Sequence, residues 1–132
     1  MRVLLEADPF PDPPATSWLT RGRWAARWLT LPAALAPPVV VAYRLRFTLA
    51  EAASTRLHVS ADERYELFLD GERIGRGPER GEQTCWPFES YDLSLAPGAH
   101  SLVARVTALG NAAPIAQHSV RHGFILCPQE PD

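Results

Sequence analysis

The chain has 132 residues, 46% apolar and 21% charged, with a net charge of −2. That size suits one domain around one buried core, and the near-balanced charge supplies no overall field to draw nucleic acid or an anionic membrane. No stretch approaches the roughly 18–20 apolar residues of a membrane span, and Met1–Asp8 is too short an apolar run for a signal peptide, so a cytoplasmic location is expected.

In chain order, Pro9, Pro11, Pro13 and Pro14 make an extended arm, predicted to cover residues 1–24 and to pack on the domain. Trp24, Trp28, Leu31 and Leu35 fall at helical spacing, but Pro32 interrupts that window, so Ala25–Thr30 is read as a short edge strand. From Val39 the period becomes two. Val41, Tyr43, Leu45, Phe47 and Leu49 take one face, and Arg44, Arg46 and Thr48 take the other. Leu57 and Val59 alternate with Arg56, His58 and Ser60, a second half-buried strand. Tyr65, Leu67 and Leu69 alternate with Glu66, Phe68 and Asp70, and Asp70-Gly71 supplies the positive φ angles of a two-residue hairpin.

The return strand is Glu72–Gly75. Further strands are predicted at Phe88–Leu93, after the Pro97-Gly98 turn through Leu102, Ala104, Val106 and Ala108, and at Phe124–Leu126. Seven or eight short strands with turns between them predict an all-β fold, a single antiparallel jelly-roll sandwich over 25–127 with a tail at 128–132.

Candidate chemistry is sparse. Glu72, Glu79, Glu82 and Glu89 lie in one stretch and can supply the pair of carboxyl groups that glycosidases require, but they read more simply as exposed loop and edge-strand acids. His118 and His122 stand four apart without the Glu of a zinc motif. Asp62 and Glu63 at a strand turn can supply oxygens to calcium, but a capped turn explains them better, so no cofactor is expected. Cys85 and Cys127 lack metal-ligand spacing, and their pairing stays open.

The loop from Arg76 to Trp86 holds the parts that sugar recognition uses. Arg76 and Arg80 give fork-shaped donors, Glu82 and Gln83 give acceptors, and Trp86 gives an aromatic plate. Gly75, Gly77 and Gly81 are expected to let the backbone approach a ligand or neighbouring domain closely. The bland alternative is that Trp86-Pro87-Phe88 packs where the chain re-enters the sheet.

Ala61-Asp62, Tyr65, Leu67, Leu69, Asp70-Gly71, Ile74-Gly75 and Gly77-Pro78, preceded by Arg44-Leu45-Arg46-Phe47-Thr48-Leu49, resemble the accessory sandwich domain of bacterial α-L-rhamnosidase-like glycoside hydrolases. Tyr91-Asp92-Leu93, Pro97-Gly98 and Gly123–Leu126 continue the resemblance, which spans roughly residues 25–127. It implies a galactose-binding-like fold and a non-catalytic chain, since that family's catalytic machinery is a large helical barrel. The implied partners are carbohydrate or a catalytic domain; the other reading is a purely structural or interaction module.

Overall fold

The period-two alternation that starts at Val39 becomes the longest pairing in the molecule. In a computed structural model that describes residues 1–10, 24–31, 36–81, 86–115, 117 and 119–129, strand β2 (Val39–Leu49) runs antiparallel to β7 (Gly98–Ala108) over its whole length. β4 (Arg64–Leu69) and β5 (Glu72–Gly77) complete that sheet in the order β2-β7-β4-β5. The second sheet has the order β1-β6-β3-β8, from Arg2–Val3, Glu89–Leu95, Ala53–Asp62 and Gly123–Pro128. Every pairing is antiparallel.

The core lies between the sheets. Leu57, Val59, Ala61, Tyr91 and Leu93 face it from one side, and Tyr65, Leu67, Leu102, Ala104 and Val106 from the other. This is a sandwich arrangement of two sheets packed face to face.

The Asp70-Gly71 turn forms as the dipeptide dictates. Asp70 has φ 51° and Gly71 has φ 89°, and Leu69 pairs with Glu72 across them. The Asp70 carboxylate then ties the turn to β7, accepting from the Ser101 amide at 2.7 Å and meeting His100 Nδ1 at 2.7 Å. The return strand reaches Gly77 and carries a bulge, because the register passes from Leu67↔Gly75 to Phe68↔Arg73 and leaves Ile74 without a partner.

Two expectations need correcting. Ala25–Thr30 is not a strand; it makes one bridge, in which Leu29 and Phe124 exchange amide–carbonyl bonds of 2.7 and 2.9 Å. A proline that argues against a helix does not by itself distinguish a strand from an extended segment that touches a sheet once. The His58 and Ser60 face of β3 is not wet either. Phe10, Trp24 and Phe88 pack round His58, with Phe10 and Phe88 edge-on at ring distances of 5.1 and 5.7 Å, and both His58 and Ser60 are fully buried. At the start of the chain, Arg2–Val3 forms a short strand on β6.

Candidate functional site

Strand β5 passes over its own protein closely enough to require glycine. A Cβ at Gly75 would stand 2.2 Å from the Tyr91 ring, and one at Gly77 would stand 2.7 Å from Glu89 Cγ. The close approach expected to serve a ligand or a neighbouring domain is therefore an internal one. It lets Tyr65 and Tyr91 meet hydroxyl to hydroxyl at 2.9 Å beneath the strand. Tyr91 also donates to the Arg76 carbonyl at 3.3 Å, which leaves Tyr65 as donor to Tyr91. Burial raises both phenols above their ordinary range.

Beside the tyrosines lies Glu89, predicted to be exposed but in fact 5% exposed. Its strand starts within the sheet, opposite Val59, and not at a free edge. Burial pushes the Glu89 carboxyl up, and Arg2, 2.5 Å away, pulls it back. The same guanidinium reaches the exposed Glu79 at 3.2 Å. Burial is the larger influence, so the Glu89 carboxyl stays above its ordinary range even with Arg2 beside it.

These groups line an open groove of about 820 Å³ at the β5 side of the molecule, together with Arg64, Glu66, Arg76 and Arg105. Glu66 accepts from Arg105 and, at 3.0 Å, from Arg73, and these contacts, Arg105 foremost, hold its carboxyl below the usual range. Arg76 is exposed and makes no ion pair or side-chain hydrogen bond among the described residues.

The predicted loop residues separate. Arg76 faces the groove, and Arg80 is exposed beyond it. Glu82, Gln83 and Cys85 lie outside the described residues. Trp86 belongs to a different pocket, of about 380 Å³, with Trp24, Trp28 and Ile125. Its ring stands edge-on to Trp28, with centroids 5.9 Å apart; Trp28 remains 46% exposed.

The acids at the strand turn cap backbone. Asp62 accepts from Ser119 Oγ at 2.6 Å and from the Val120 and Arg121 amides at 2.7 and 2.8 Å. Glu63 accepts from the Leu109 and Gly110 amides at 3.0 and 2.8 Å. No cluster of three or more metal-ligating side chains occurs among the described residues. His118 lies outside them, and Cys127 is buried with a free thiol. Among the described residues no helix is long and apolar enough to cross a membrane.

Sequence reasoning passed over Arg2, Tyr91 and Glu89 as partners. Arg2 sits in a two-residue strand that no periodicity can reveal, and Glu89 is joined to it only by the pairing of β1 with β6.

No family model matches the chain, and no curated protein matches it. Among solved structures it is similar to the crystal structure of a GH78 family rhamnosidase of Bacillus sp. GL1, with 31% sequence identity and a TM-score of 0.70. The match covers 80% of this chain and 12% of that one. The likeness is to a part of a rhamnosidase. It supports a domain of such an enzyme, and it relates the chain to glycoside hydrolases.

Proposed function

We propose that the chain is a non-catalytic, carbohydrate-associated accessory domain of an α-L-rhamnosidase-type glycoside hydrolase, with a jelly-roll of the galactose-binding kind. The observation that carries this reading is the likeness of 80% of the chain to only 12% of a rhamnosidase. The partners it implies are carbohydrate, bound weakly, and a glycoside hydrolase catalytic domain. The proposed contact rim is the loop with Arg76, Arg80, Glu82, Gln83 and Trp86. Two features support it: Arg76 and Arg80 are exposed without a partner among the described residues, and Trp28 beside Trp86 presents a half-exposed ring. Loops held by a rigid scaffold are the usual place for such contacts.

The competing reading, a purely structural or interaction module, draws on the internal use of Gly75 and Gly77 and on the packing of Trp86 against Trp28. Titration with L-rhamnose and with aryl rhamnosides tests the proposal. Weak saturable binding without release of the aryl group is the expected result. Turnover abolished by one Glu→Gln change among residues 72–89 would overturn the non-catalytic reading, and no binding of any sugar at millimolar concentration would leave the structural module.

A further inference from the structure

The charge of this chain is nearly balanced, yet the fold sorts it. All 13 basic residues are arginine, and six of them stand on the outer face of the β2-β7-β4-β5 sheet: Arg44, Arg46, Arg64, Arg73, Arg76 and Arg105. The alternation that sends Val41, Tyr43, Leu67, Ala104 and Val106 inward sends these outward, and each is exposed. The strands of that face answer them with one outward acid, Glu66, bonded to Arg73 and Arg105; at the hairpin turn Asp70, held by His100 and the Ser101 amide, lines a pocket with Arg46.

Register places the charges. One row across the sheet reads Ala42, Arg105, Glu66, Arg76, and the next reads Arg44, Val103, Phe68, Arg73. Arg46 follows Arg44 about 7 Å further along β2. Arg44, Arg46 and Arg76 make no ion pair among the described residues. The opposite face of the sandwich differs on both counts. Its Arg56 is paired with both oxygens of Asp92 at 2.6 and 2.8 Å, and aromatic rings cover its His58.

We infer that this open arginine face binds an anionic polysaccharide, one whose sugar residues carry carboxylates. This rests on the carbohydrate-associated reading above and extends it to a ligand class. Guanidinium forks match carboxylates in geometry as well as in charge. Between the arginine columns the outward side chains are mostly small, namely Ala42, Ala99, Ser101 and Thr107, with Phe68 and Val103 half-buried and one exposed aliphatic group, Val40, at the start of β2. A stable protein interface needs a deeply buried aromatic or aliphatic anchor at its centre. This face presents no outward Trp or Tyr, and its exposed aliphatic group, Val40, lies at the start of β2 and not at the centre, whereas a flat chain of uronate residues needs only a level surface with fixed positive groups.

The test is retention of the whole chain by polygalacturonate and by the same polymer with its carboxylates methyl-esterified, at low and at physiological salt. Expected are binding to the free acid only, its weakening as salt rises, and a roughly tenfold loss in Arg44→Gln/Arg46→Gln, about 1.4 kcal/mol, with an unchanged melting temperature. Equal retention of the methyl ester would overturn the inference, as would an undiminished Arg44→Gln/Arg46→Gln variant. Equally tight binding of polyglutamate would overturn it in favour of an acidic protein surface. Failure on polygalacturonate with L-rhamnose still bound would remove this inference alone and leave the accessory-domain reading intact.

Discussion

Tyr65 of one sheet and Tyr91 of the other share a hydrogen bond of 2.9 Å inside the sandwich, directly under the glycines of β5. Tyr65→Phe removes the donor and leaves the Tyr91 hydroxyl with the Arg76 carbonyl alone. The expected cost is about 1 kcal/mol, the net worth of one buried hydrogen bond. Urea denaturation of both Tyr→Phe single variants and the double variant measures the coupling; strict additivity would refute it.

The glycine over Tyr91 has a second consequence. Gly75→Ala places a methyl group 2.2 Å from the Tyr91 ring. Although alanine is ordinarily the better strand residue than glycine, overpacking should dominate here and cost about 1–3 kcal/mol. Combining it with Tyr91→Leu should cost less than the sum of the two single changes.

Asp62 holds the 119–121 segment through three hydrogen bonds. Asp62→Ala should destabilise the protein by about 3 kcal/mol, roughly 1 kcal/mol for each hydrogen bond to this exposed segment. Asp62→Asn, which keeps the shape, should cost roughly half as much. Because these oxygens already serve N–H and O–H donors, EDTA should leave the melting temperature unchanged.

Two buried groups give pH dependence of opposite sign. Burial lowers the His58 pKa, so the unfolded chain takes up a proton first, and stability present above pH about 6.5 falls as pH drops through the folded value. Burial raises the Glu89 pKa, so its contribution is full below pH about 4.5 and is lost as pH rises through the folded value. Denaturation at a series of pH values should show the first slope vanish in His58→Gln and the second vanish in Glu89→Gln.

Trp86 packs edge-on against Trp28 in the aromatic pocket. Trp86→Ala should therefore lower stability by about 3 kcal/mol, as removal of a packed ring does. A loss of that size would take Trp86 out of the proposed contact rim, whereas a variant that melts like the parent but no longer binds sugar would keep it there as an open binding plate.

The Asp70-Gly71 turn was legible in the residues themselves, because only a short list of side chains tolerates two successive positive φ angles. The inward faces of β2, β4 and β7 were equally legible, since a period of two leaves no other strand geometry for Val41, Leu67 or Val106. Much of the candidate site was not. Arg2 meets Glu89 across 87 positions of sequence only because β1 docks on β6. Gly75 and Gly77 announced a close approach, but which atoms approach depends on Tyr91 and Glu89 arriving from the other sheet. The arginine face combines both kinds of information. Alternation alone sends Arg44 and Arg46 outward; strand order then sets them in one plane with Arg64, Arg73, Arg76 and Arg105. Local backbone preference and side-chain period act within a few residues and are written in the sequence. Which strands become neighbours is decided by burying one shared core, and that assigns each charge its company.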